Sequence, residues 1–164
     1  MTNEELKNIC DLHVKWLNDK PDGKRADLFA ANLYGADLRD AKLCGADLRG
    51  AKNVPFIPMT CPEVGSYIAY KKASGVIVVL RILEDALRSS ATGRKCRASK
   101  AEVLRIEDLD GSCLTVDSVN SSYDPNFIYR PGEIVSVDNF DTDRWNECAP
   151  GIHHFINRQE AVDY

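Results

Sequence analysis

The chain has 164 residues, enough to bury one ordinary core or a small core with an appendage. Its 21 basic and 25 acidic residues leave a net charge of −4, so neither nucleic acid nor an anionic membrane is indicated as a general partner. No run of about 18 apolar residues offers a membrane span, and the N-terminus is polar where a signal peptide is apolar; a cytoplasmic location is expected. Six cysteines, Cys10, Cys44, Cys61, Cys96, Cys113 and Cys148, are scattered without a C-x-x-C pair, which predicts reduced thiols.

In chain order, Thr2-Asn3-Glu4-Glu5 reads as a capping box. A helix over residues 3–18 follows, with Leu6, Ile9, Cys10, His13, Val14 and Leu17 on one face. Pro21-Asp22-Gly23 ends it as a turn. His13 lies on the apolar face, where a packed histidine is expected rather than a ligand.

Residues 26–50 repeat every five: Ala26-Asp27-Leu28, Ala31-Asn32-Leu33, Ala36-Asp37-Leu38, Ala41-Lys42-Leu43 and Ala46-Asp47-Leu48. A period of five fits neither a helix face nor a two-faced strand. It fits a winding backbone that turns one corner per unit, with each Ala and Leu inward, so that Leu28, Leu33, Leu38, Leu43 and Leu48 form the structural repeat. The register resembles the pentapeptide-repeat family, which implies a right-handed quadrilateral β-helix of four units per coil. Such a stub spans only about one and a quarter coils, spaced roughly 4.8 Å, so its ends require covers. The initial helix is expected over the first end.

Long acidic members of the pentapeptide-repeat family imitate duplex DNA. Here Lys24, Arg25, Arg39, Lys42, Arg49 and Lys52 outnumber Asp27, Asp37, Asp40 and Asp47, and the stretch is short, so DNA is not expected as partner or model. Pro55 and Pro58 end the pattern. The expected domains are therefore 1–58, helix plus repeat stub, and 59–164, a strand-rich α+β domain; the fold class is α+β, mostly β.

Within the second domain, strands are predicted at Tyr67–Tyr70 and Val76–Ile82 around an Ala73-Ser74-Gly75 turn. Glu84–Ser90 reads as a helical turn, Lys95–Ile106 as a strand in its second half, and Cys113–Val119 as a short strand. Phe127–Tyr129 and Ile134–Val137 flank a Pro-Gly kink, Gly151–Ile156 is a last strand, and Asn157 caps a terminal helix. From Cys61-Pro62-Glu63-Val64-Gly65 through Arg88-Ser89-Ser90, Lys95-Cys96-Arg97 and Cys148-Ala149-Pro150-Gly151-Ile152-His153, this segment resembles an uncharacterised domain that follows short pentapeptide repeats in bacterial and phage proteins. A shorter stretch, Gly151-Ile152-His153-His154-Phe155 with Gln159, Glu160, Ala161 and Tyr164, is similar to ADP-ribosyltransferases. That likeness implies nicotinamide stacking at His153, but the family's His-Gly pair and catalytic glutamate strand have no counterpart.

Arg88, Ser89, Ser90, Arg94, Lys95 and Arg97 form a basic, hydroxyl-flanked cluster suited to a phosphate-bearing ligand. With His153 they are the candidate ligand-binding residues; the alternative is a solvated loop paired with Glu84, Asp85 and Glu102. Cys148, His153 and Cys61 or Cys96 lack the spacing of a zinc site, and no metal or cofactor is expected. The expected function is a non-enzymatic binding module of bacterial or phage type that engages a host protein or sequesters a nucleotide-like molecule. The alternatives are an NAD-dependent ADP-ribosyltransferase-like enzyme and a structural protein that forms a homo-oligomer.

Overall fold

The computed structural model describes residues 1–38 and 41–164; Arg39 and Asp40, counted above in the charge of the repeat, lie outside them. The fold is mostly β with a single long helix at the N-terminus. The chain forms two compact units: Met1–Thr60 with Ser90–Gly93 and Asp143–Cys148, and Cys61–Ser89 with Arg94–Thr142 and Ala149–Tyr164.

The first unit begins with α1 (Asn3–Leu17). Thr2 and Glu5 form the expected capping box: the Glu5 N–H donates to Thr2 Oγ1 at 3.2 Å and the Thr2 N–H to Glu5 Oε2 at 2.7 Å. The turn after the helix requires glycine, since a Cβ on Gly23 would lie 2.4 Å from the Trp16 nitrogen.

Each repeat unit is built by the same local bonds. The N–H groups of Ala31, Ala36, Ala46 and Ala51 donate to the carbonyls of Leu28, Leu33, Leu43 and Leu48 at 3.1, 3.0, 2.8 and 3.0 Å. The second residue of the unit closes the corner as an Asx turn: Asp27, Asn32 and Asp47 Oδ1 accept from the N–H of Phe29, Tyr34 and Arg49. The fifth residue then takes a positive φ, 53° at Ala30 and 76° at Gly45, which explains the recurring glycine. Parallel bridges join Asp27 to Asp47 and Asn32 to Lys52, pairs 20 positions apart. The five repeat leucines are buried together with Leu6, Ala26 and Ala46, and Ile9, Cys10 and Trp145 pack on that core.

Both ends of this ladder are covered within the unit. His13 of α1 meets Ala26 and Cys44 at the first end. From a later part of the same unit, Thr92 Oγ1 donates to the Leu43 carbonyl at 2.5 Å. Arg144 donates to the carbonyls of Ile57, Ser90 and Ala91 at 2.7, 2.9 and 3.0 Å and lies over the Trp145 ring.

The second unit contains β1 (Tyr67–Ala73), β2 (Val76–Ile82), β3 (Arg88–Ser90, its last residue in the first unit), β4 (Cys96–Ala98), β5 (Lys100–Glu107), β6 (Val119–Asn120), β7 (Ile128–Tyr129), β8 (Ile134–Ser136), β9 (Ile152–His154) and α2 (Arg158–Asp163). The main sheet has the order β1-β2-β5-β8, a second sheet β3-β4-β9, and β6 pairs with β7. Strand β2 buries both faces: Val78, Leu80 and Ile82 enter the larger core, Ile77 and Val79 the smaller one with Phe155 and Ala161. The outer edge of β1 is not left open, because Tyr70 and Phe155 exchange backbone hydrogen bonds at 2.8 Å.

Three predicted elements differ. Glu84–Ser90 is not a helical turn but a turn leading into β3. Arg88 takes the Leu83 and Glu84 carbonyls that a helix would have used. The Lys95–Ile106 run is a strand in its second half, β5, as expected, but a further strand, β4, precedes Ser99, whose N–H and Oγ both bond to the Leu87 backbone. Of Cys113–Val119, only the Glu107–Cys113 bridge and the start of β6 are strand-like. The Asn157 cap holds, its side chain accepting the Gln159 N–H at 2.8 Å.

Candidate functional site

Two arginines of the expected ligand cluster are tied to main chain of their own unit. Arg88 donates to the carbonyls of Pro62, Gly65, Leu83, Glu84 and Ala86, and its guanidinium lies over the Tyr67 ring. Arg97 is 3% exposed; it donates to Asp141 and Pro150 carbonyls and lies over Phe140. Arg94 pairs with Glu160 at 2.7 Å. Ser89 is buried with its hydroxyl unpaired, and Ser90 Oγ, in the first unit, accepts the Thr60 N–H. The seven expected residues therefore do not form one ligand-facing set.

Lys95 and His153 are joined by a residue that sequence reasoning passed over, Lys71. Strands β4 and β9 are antiparallel, with Arg97 opposite His153 and Cys96 opposite His154. The ammonium of Lys71, on β1, donates to the His153 carbonyl at 3.3 Å. Burial, reinforced by the charge of Lys95, lowers the Lys71 pKa to about 8. Burial also lowers His153 to about 4, and Lys95, Lys71 and Arg97 all oppose a positive charge there. The Nε2–H of His153 donates to the Ala149 carbonyl at 3.0 Å. Lys95 lies over the Tyr164 ring, 5.8 Å from its centre, and among the described residues neither lysine forms an ion pair.

Next to His153 along β9, His154 belongs to a second, buried polar cluster. Tyr67 and His154 meet at 3.0 Å between the hydroxyl and Nε2. Because His154 Nδ1 faces the Ile152 carbonyl at 2.9 Å, the proton resides on Nδ1 and Tyr67 donates to Nε2. Burial lowers His154 to about 4 and raises the Tyr67 hydroxyl. Cys61 and Cys96, both buried, complete the cluster; their thiols share a hydrogen bond, which together with burial raises Cys96.

The groups of this cluster are engaged with one another. A thiol with a raised pKa is a poor nucleophile, and His154 has both ring nitrogens engaged. Cys148 belongs to the first unit, and among the described residues no group of three His, Cys, Asp or Glu side chains is placed to hold a metal. Among the same residues no helix is long and apolar enough to cross a membrane.

The repeat that organises the first unit is of the pentapeptide class: residues 24–52 match the pentapeptide repeats, in eight copies. Residues 57–161 match the family described as a family of unknown function, DUF5758, and the chain belongs to that family. Neither match extends the local likeness of residues 151–164 to the ADP-ribosyltransferases. No curated protein and no solved structure matches the chain.

Proposed function

We propose that the protein is a non-enzymatic binding module of bacterial or phage type whose second unit takes the phosphate of a nucleotide-like small molecule between Lys71 and Lys95, beside His153. The observation that carries this reading is a pair of half-buried lysines with no ion pair among the described residues, of which Lys71 is held below its ordinary pKa by burial and by the charge of Lys95. An anion placed between them relieves that repulsion, and the desolvated site strengthens the attraction. Arg88 and Arg97 support the site by fixing the surrounding main chain, and Tyr164 offers a ring to a base. In the first unit, the parallel bridges at a spacing of 20 residues support reading the repeat as one right-handed quadrilateral coil with part of a second.

Isothermal titration with inorganic phosphate, AMP and ADP tests this. Binding is expected to weaken about tenfold with Lys71→Gln or Lys95→Gln and to vanish in the double variant, with salt dependence as for any charge-led contact. Absence of binding by all three at millimolar concentration, in protein that melts normally, overturns it.

A further inference from the structure

We infer that Cys61 and Cys96 form a reversible disulfide, closed by a low-molecular-weight disulfide such as oxidised glutathione, which ties the first residue of the second unit to strand β4. Both are thiols in this structure. They are 2% and 0% exposed, yet their side chains are within hydrogen-bonding reach of each other. Their surroundings place one partner in a paired strand and the other in irregular chain. Cys96 is fixed in β4, opposite His154, with its Sγ 3.7 Å from the Arg94 carbonyl. Cys61 lies in irregular chain ahead of β1, so the approach from hydrogen-bonded thiols to a bond of about 2.05 Å requires only a local shift. Arg88 holds that chain close by through the Pro62 and Gly65 carbonyls.

The balance is that of thiol–disulfide exchange. One protein thiolate attacks a sulfur of oxidised glutathione, forming a mixed disulfide and expelling one glutathione thiolate. The second protein thiolate attacks the protein sulfur of that mixed disulfide, forming the Cys61–Cys96 bond and expelling the second glutathione. The two protein thiol protons end on the two glutathione molecules. Because both thiols are buried and Cys96 resists ionisation, closure is slow at neutral pH and accelerates about tenfold per pH unit. The remaining four cysteines are the controls: Cys44, Cys113 and Cys148 are exposed and Cys10 is half-buried.

Folded, full-length protein is incubated with oxidised glutathione at pH 8, quenched with acid, alkylated in denaturant and mapped without reduction. The expected product is a peptide cross-linked between Cys61 and Cys96, with two fewer thiols alkylated at this pair, a mass lower by about 2 Da, and full reversal by dithiothreitol. The cross-linked protein is also expected to melt several degrees higher, since the bond closes a loop of about 35 residues. Glutathione adducts at the exposed cysteines alone, with Cys61 and Cys96 both alkylated, overturn the inference, as does a cross-link that forms only after denaturation.

Discussion

Nδ1 of His13 accepts the backbone N–H of Ala26 at 3.1 Å, joining helix α1 to the first residue of the first repeat unit. Because Nδ1 accepts, the proton is on Nε2, which donates to the Cys44 carbonyl at 3.1 Å. One imidazole thus satisfies a donor and an acceptor at the open end of the ladder, where unpaired backbone groups would otherwise be buried. The ring also stacks on Trp16, 5.2 Å between centres.

His13→Phe keeps an aromatic ring against Trp16 and removes both hydrogen bonds. It is expected to cost about 2–4 kcal/mol, the desolvation of two buried backbone groups, and to lower the melting temperature by roughly 5–15 °C. Thermal unfolding by circular dichroism checks this. A change below about 0.5 kcal/mol would mean that the end of the ladder is satisfied without His13.

All three histidines titrate below their ordinary value of 6.5, chiefly through burial, with His153 and His154 at about 4. The folded protein therefore binds fewer protons than the unfolded chain between these values. Stability is fully present above pH 6.5 and is lost as the pH falls toward 4. The His154 shift alone corresponds to about 3 kcal/mol. Asp47, lowered to about 2 by its bonds to Arg49, adds an acid loss only below pH 3.8, outside this window. Urea unfolding at pH 7, 5.5 and 4.5 is expected to show a falling midpoint, and His154→Gln a flatter profile. A pH-independent midpoint from 7 to 4.5 would contradict the burial of these rings.

Much of this framework is legible from local rules. The capping box of Thr2 and Glu5, the five-residue register of the leucines, the hairpin of β1 and β2 and the Asn157 cap each depend on neighbours within a few positions. The candidate site is not legible in this way. Lys71 looks like an exposed residue on a strand, and only the approach of β9 to β1 half-buries it against the His153 carbonyl. Arg88 and Arg97 read as ligand residues because a sequence does not reveal that five carbonyls converge on one guanidinium. Cys61 and Cys96 are 35 positions apart, and their proximity arises only when β4 folds beside the start of the unit.

The fifth position of the repeat offers a paired test of backbone strain. Ala30 adopts φ 53° and Gly45 φ 76°. Ala30→Gly relieves a conformation that costs an L-residue about 1 kcal/mol, partly offset by the greater freedom of glycine in the unfolded chain; a change between zero and about 1 kcal/mol in favour of folding is expected. Gly45→Ala is expected to cost about 1–2 kcal/mol through the backbone alone. An added Cβ there meets only the Trp16 ring at 3.6 Å, an ordinary contact. Urea midpoints of the two variants should move in opposite directions, and equal destabilisation would show that packing, not φ, governs the corner.

Arg88 and Lys71 are predicted to separate stability from binding. Arg88→Ala removes the guanidinium from five main-chain carbonyls of the second unit, of which Leu83 keeps the Ala86 N–H, and a loss of about 3–5 kcal/mol is expected. Arg88→Lys restores a charge and three donors but not the planar fork, so about half of that loss should remain. Lys71→Gln acts in the other direction, because it removes a charge whose burial already lowers its pKa to about 8. That substitution is expected to leave stability unchanged or raise it by about 1 kcal/mol while weakening phosphate binding. Urea unfolding and phosphate titration on the same three variants read both effects. If Lys71→Gln destabilised as much as Arg88→Lys while phosphate affinity stayed constant, Lys71 would be a structural lysine and the anion site would have to lie elsewhere.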